Sequence, residues 1–167
     1  PEDIVFSSSG DLYVADAGNG RVVRLKPDGT IVSTWGKRGP KGEPHKAGEF
    51  AAAHGIAIDK NDRIYVADRG NRRIQVFEKD GKFVAEWTGF GQPFGALVVG
   101  DELLVTDGDA HTISHLSLKD GKLVHQWGNN EVLQLPHMLT TAPDGSLYVA
   151  EVAGKRIQRF RRQRDKN

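Results

Sequence analysis

Four segments of this chain follow one template, and that repetition constrains the fold more than any single motif. They run from Pro1 to Gly36, from Ala53 to Trp87, from Pro93 to Gly128, and from Pro136 to near Phe160. Four copies in 167 residues give about 42 residues each, the length of one propeller blade. The bursts Leu12-Tyr13-Val14-Ala15 and Ile64-Tyr65-Val66-Ala67 are short, β-rich and bounded by turn formers, as a buried second strand requires. Val22-Val23-Arg24-Leu25 and Ile74-Gln75-Val76-Phe77 read as third strands. Asp28-Gly29, Asp80-Gly81 and Asp120-Gly121 then make tight hairpins, since glycine accepts positive φ cheaply. Fourth strands end in Trp35, Trp87 and Trp127, and Gly18-Asn19 and Gly70-Asn71 mark the turn between strands two and three.

The expected fold is an all-β propeller of four-stranded blades at about 1–36, 46–90, 91–128 and 129–162, with a basic tail at 161–167. Composition agrees: 20 glycines, one methionine and 38% hydrophobic residues suit short strands and many turns. Lys plus Arg number 23 against 22 Asp plus Glu, so charge makes no case for nucleic acid or an acidic membrane. The lack of cysteine excludes a disulfide framework, a thiolate zinc site and a cysteine nucleophile. No run of about 18 apolar residues offers a membrane span. The fourth copy lacks both the Asp-Gly turn and the Trp-ended strand, and the chain opens at Pro1 with neither an initiator methionine nor an export segment. The expectation is therefore the C-terminal part of a larger, six-bladed ring, with a self-contained four-bladed ring as the alternative. Free blade edges favour pairing with missing N-terminal blades or with another copy.

The first strand of each blade lines the central channel. Its opening positions are Glu2, His54, Phe94 and His137, so two histidines in one register point into one cavity from opposite sides. Neutral imidazole is a common zinc ligand, and the pair forms an incomplete site that needs a third donor. The competing reading is that repeats inherit residues by duplication, leaving both as turn or hydrogen-bonding residues. His45, His111, His115 and His125 fall in a loop or in mid-blade strands and read as structural. Asp16, Asp68, Asp107 and Glu151 close the second strands and read as turn caps. Of the residues that follow them, only Arg69 offers chemistry, a charged fork suited to a carboxylate or else a surface salt bridge. Arg21, Arg73 and Arg156 share one template position and read as scaffold.

The stretch HGIAIDKNDRIYVADRGNRRIQVF resembles the NHL repeat. The order of units resembles the C-terminal four blades of the six-bladed peptidyl-α-hydroxyglycine α-amidating lyase family and its bacterial relatives, including the insertion from Lys37 to Phe50. The resemblance implies a zinc lyase that splits a peptidyl hydroxyglycine into a peptide amide and glyoxylate. It makes His54 and His137 two of three zinc ligands and Arg69 the holder of the substrate carboxylate, with the third histidine on blades this chain lacks. It also implies an exported protein, with which the lack of cysteine is compatible. Two positions depart from the family: Ala17 and Gly18 stand where it has a catalytic tyrosine, and Met138 where it has an aspartate serving a structural calcium. Calcium is accordingly not expected, and general-base chemistry through a phenol lacks its agent.

Two functions follow. One is a zinc-dependent carbon–nitrogen lyase-like propeller taking a small molecule or peptide at the channel mouth. The other is a non-catalytic NHL propeller binding a peptide, protein or carbohydrate on one face. RNA binding is disfavoured, because the basic residues are spread through all units and only RFRRQRDK is concentrated.

Overall fold

The computed structural model describes residues 1–40 and 45–161. All of the expected basic tail beyond Arg161 lies outside the described residues, as does part of the insertion. Blade 1 comprises β1 (Asp3–Phe6), β2 (Leu12–Asp16), β3 (Arg21–Leu25) and β4 (Ile31–Trp35). The insertion contributes β5 (Lys37–Arg38) and β6 (Glu49–Phe50), a short parallel pair. Blade 2 comprises β7 (Ala53–Ile58), β8 (Ile64–Asp68), β9 (Arg73–Phe77) and β10 (Phe83–Trp87), with a 3₁₀ turn at Arg69–Asn71. Blade 3 comprises β11 (Pro93–Val99), β12 (Glu102–Asp107), β13 (Thr112–Ser117) and β14 (Leu123–Trp127). Blade 4 holds β15 (Pro136–Thr141), β16 (Leu147–Glu151) and β17 (Arg156–Phe160). Among the described residues each blade is an antiparallel meander, four-stranded in the first three and three-stranded in the last. The first strands β1, β7, β11 and β15 pack side by side in chain order, which makes a four-blade β-propeller arrangement.

Burial follows position in the stack. Every residue of β8 and β9 is buried, because blade 2 is covered on both faces, whereas β2 alternates and β17 is mostly exposed. Ile4, Phe6 and Ile157 leave large apolar side chains in solvent on the two flanking blades. Between blades 1 and 2 lie Tyr13, Ile64 and Phe77; between 2 and 3, Tyr65, Leu103 and Leu116; between 3 and 4, Leu104, Leu147 and Val149. The terminal tryptophans latch neighbouring blades: Trp35 lies 6.1 Å from Phe77 and Trp127 lies 4.8 Å from Phe160, ring centre to ring centre. Such contacts are worth about 0.5–1.5 kcal/mol beyond the burial itself.

The Asp-Gly hairpins take the expected left-handed glycines, at φ 86° for Gly29, 90° for Gly81 and 71° for Gly121. The turn between strands two and three contains Gly18-Asn19 and Gly70-Asn71, as expected. Its left-handed residue lies at the far end of the turn: Gly20 at φ 65°, Arg72 at 56°, His111 at 56° and Lys155 at 49°. Three of these four are residues that pay a steric penalty there.

Candidate functional site

The rim residues fall where the template puts them. Glu2 immediately precedes β1, while His54, Phe94 and His137 are the second residues of β7, β11 and β15. In those three strands the pairing register breaks just there, between Ala53 and Ile56, Pro93 and Ala96, and Pro136 and Leu139. A bulge re-aims a side chain, and here it turns three rings toward one another. Glycine follows two of them for a steric reason. A Cβ on Gly55 would lie 2.4 Å from the Phe94 carbonyl oxygen, and one on Gly95 would lie 2.6 Å from that of His137. Neighbouring first strands approach this closely only without side chains.

The rings of His54 and His137 lie 4.8 Å apart, centre to centre, with planes at 78°. Phe94 completes the group at 5.1 Å from His54 and 4.8 Å from His137. The histidines therefore touch edge to face rather than oppose one another across an open cavity. His54 Nδ1 lies 3.1 Å from the Phe94 carbonyl oxygen. Since a carbonyl only accepts, Nδ1 carries the proton, and in the neutral ring Nε2 carries a lone pair. Glu2 places a carboxylate oxygen 4.0 Å from that Nε2. Burial, then His137 and Arg69, push the His54 pKa below the usual histidine value, and burial and Arg69 do the same to His137. Both rings are neutral at pH 7.

Arg69 sits on the 3₁₀ turn, with its guanidinium carbon 5.0 Å from the centre of the Phe94 ring. Among the described residues it makes no ion pair. Gly108 occupies the equivalent place in blade 3, and a Cβ there would meet the Phe94 ring at 2.4 Å. Phe94 is thus held between a bare backbone and a cation.

For zinc, the two imidazoles are suitable donors, but a site held by protein alone needs at least a third. Among the described residues no group of three His, Cys, Asp or Glu side chains is arranged to hold a metal ion. His54 and His137 alone fall short of that set.

The acids that close the second strands do more than cap turns. Asp68 accepts from the backbone N–H of Ala51 and Ala52 and from Asn71, Arg73 and Gln75. Asp107 takes the N–H of Gly91 and Gln92, and Glu151 that of Gln134. Each acid thereby fixes the segment that enters its own blade's first strand, just ahead of the rim residue. The template arginines act as scaffold: Arg21 pairs with Asp16, Arg73 with Asp68 and Arg156 with Glu151. Arg73 also donates to the carbonyls of His45, Lys46 and Glu49, which ties the insertion to blade 2.

Two contributors escaped the sequence reading. Thr106 accepts from the N–H of Gly95 and donates to the His137 carbonyl at 2.6 Å, joining blades 3 and 4 behind the rim. Its signal was the Thr in VTD where the other copies have Ala. Asp3 stands where blades 2 and 3 have glycine and accepts from the Ile56 N–H at 2.9 Å, joining blades 1 and 2. Below the rings, Asp3, Ile56, Ala96 and Met138 border a channel cavity of about 210 Å³ to which all four first strands contribute. Among the described residues no helix is long and apolar enough to cross a membrane.

Residues 1–25 and 50–77 match the NHL repeat. Repeat and blade arrangement agree: this chain is a β-propeller that carries NHL repeats in its first two blades. It is 31% identical over 178 residues to NHL repeat-containing protein 3 of Homo sapiens, across 96% of this chain and 49% of that protein. It is 26% identical over 186 residues to peptidyl-alpha-hydroxyglycine alpha-amidating lyase 1 of Drosophila melanogaster, across 96% of this chain and 34% of that protein. The resemblance to the amidating lyase family thus extends over nearly the whole chain. A streptogramin B lyase structure matches with a TM-score of 0.74 at 22% identity, over 95% of this chain and 50% of that one, a likeness of fold. The chain spans half or less of the length of these relatives.

Proposed function

We propose that this chain supplies two zinc ligands, His54 and His137, and an anion-holding arginine, Arg69, to a lyase-like site at the channel mouth. The observation that carries the reading is the convergence of two neutral imidazoles within 4.8 Å, beside a guanidinium with no ion-pair partner among the described residues. His54 is set for ligation, because its Nδ1–H is taken by the Phe94 carbonyl and its Nε2 lone pair is left for a metal. Zinc, when bound, polarises a substrate oxygen as a Lewis acid. Arg69 orients a carboxylate by paired hydrogen bonds, and Phe94 holds the guanidinium from behind. A peptidyl hydroxyglycine, the substrate class in the fly relative's name, has a carboxylate that Arg69 would bind and a hydroxyl that a metal held by His54 and His137 would polarise.

Ala17 and Gly18 favour the second reading, a propeller that binds without catalysis, since no phenol stands there as general base. Metal analysis of the full-length protein, purified without chelators, separates the two. Zinc near one equivalent, lost in the His54→Ala, His137→Ala double variant, supports the site. A wild-type protein without zinc leaves only the binding propeller. Glyoxylate release from a peptidyl hydroxyglycine then tests the lyase reading itself.

A further inference from the structure

One template position has a single exception. Three residues before the acid that ends the second strand stand Tyr13, Tyr65 and Tyr148, but blade 3 has Leu104. In blade 1 the phenol ring lies 5.9 Å from Trp35 at a steep angle, and its hydroxyl donates to the Lys79 carbonyl of blade 2. In blade 2 the Tyr65 ring lies 5.4 Å from Trp87, and its hydroxyl donates to the Asp59 carboxylate at 3.0 Å. Both rings are fully buried.

Leu104 stops short of that place. A cavity of about 830 Å³ opens between blades 3 and 4, floored by Leu104 and Leu147, walled by Trp127 and Phe160, and rimmed by His115 and Glu102. The volume is in the range of about 300–1,000 Å³ usual for small-molecule sites. Its polar rim is set in advance. The Trp127 indole N–H can only donate, and it does so to His115 Nε2 at 3.2 Å. His115 Nδ1–H therefore donates to one Glu102 oxygen at 2.9 Å, leaving the other oxygen for a ligand. Val99 and Gly100 also border the cavity, so it lies at the end of β11 opposite Phe94 and is separate from the histidine rim.

We propose that this cavity binds a small molecule through a phenolic ring, which takes the place that Tyr13 and Tyr65 fill in the other blades. The ring lies edge-on to Trp127, and its hydroxyl donates to the Glu102 carboxylate, as Tyr65 donates to Asp59. The remaining volume holds the rest of the ligand.

The probe is p-cresol, titrated into the protein while the three tryptophan indole N–H signals are followed by NMR. The expected result is a saturable shift of the Trp127 signal, with Trp35 and Trp87 unmoved. Toluene binds about tenfold or more weakly for want of the hydroxyl, and Glu102→Gln weakens p-cresol to a similar degree. Leu104→Tyr fills the place and abolishes the shift. No shift of Trp127, equal binding of toluene, or an undiminished response in Leu104→Tyr overturns the proposal. The toluene and Glu102→Gln arms decide it even where Leu104→Tyr fails to fold.

Discussion

His54 and His137 meet edge to face, 4.8 Å apart, although 83 positions of chain and a whole blade separate them in sequence. Duplicated register brings their strands to the same channel, and bulges in both strands turn the rings inward. The Phe94 carbonyl then fixes the tautomer of one of them. Duplication explains the shared register, but it does not by itself explain two uncharged rings in contact, because contact also requires Gly55 and Gly95 to let the strands close up.

This pairing carries a pH dependence of stability. In the unfolded chain each histidine titrates near 6.5, whereas in the folded protein both lie lower. Between those values the unfolded chain binds more protons, so stability falls as pH drops through about 6.5 toward the folded values. Asp3, pushed up by burial, acts in the opposite sense and only near the ordinary carboxylate range. In chelator-treated protein, urea unfolding between about pH 7.5 and 5 should show that decline. His54→Gln, His137→Gln should flatten it, and an unaltered slope in the double variant would place the effect elsewhere.

The second-strand acids differ in burial, and their removal should differ accordingly. Asp68 is fully buried and pairs with Arg73, whose side chain is 6% exposed. Asp68→Ala leaves that guanidinium with Glu86 and three backbone carbonyls. It frees the buried-side N–H groups of Ala51 and Ala52 and the side chains of Asn71 and Gln75, which should cost about 1–3 kcal/mol or more. Arg21, the partner of Asp16, is 41% exposed, and Asp16→Ala should cost only about 0–1 kcal/mol through that pair. Denaturant midpoints of the two variants check this, and equal losses would refute the distinction.

The repeat made the architecture readable, because strand order, hairpins and the Trp-ended fourth strands all recur at fixed spacing. The rim was readable for the same reason: equivalent first-strand positions in a propeller share an axis, which is how His54 and His137 emerged, whereas Arg69 came from the separate register that follows the second-strand acids. What stayed hidden depends on contacts between blades. Thr106 reaches the His137 backbone and Asp3 reaches Ile56, each across a blade boundary that spacing within one copy does not describe. The left-handed positions at Arg72, His111 and Lys155 stayed hidden because those side chains give no sign of it.

Lys155 supplies a direct test of that backbone reading. It is exposed at φ 49°, and its side chain forms no ion pair among the described residues. Glycine relieves a left-handed penalty of about 1–2 kcal/mol while adding about 0.5–1 kcal/mol of unfolded-chain entropy. Lys155→Gly should therefore be neutral to stabilising by about 1 kcal/mol, where a Gly in ordinary strand or turn backbone would destabilise. The reverse change at the matching position, Gly20→Ala, should destabilise, because its Cβ would also lie 2.7 Å from the Arg38 backbone. Thermal unfolding of both variants decides the matter, and a clear loss in Lys155→Gly would contradict the assigned backbone.

Gly55→Ala tests whether close strand approach is what assembles the rim. The added Cβ would sit 2.4 Å from the Phe94 carbonyl oxygen, and backbone on both sides leaves no flexible side chain to yield. Relief requires β7 and β11 to part, which lengthens the 3.1 Å bond from His54 Nδ1 and turns that ring away from His137. Overpacking of this kind costs about 1–3 kcal/mol. The distinguishing result is a change in the histidines as well as in stability: in NMR titration of chelator-treated protein, the His54 pKa should rise toward its ordinary value as the ring gains solvent and loses its neighbour. A variant that is destabilised yet keeps the wild-type His54 titration would show that the ring contact survives without the strand contact.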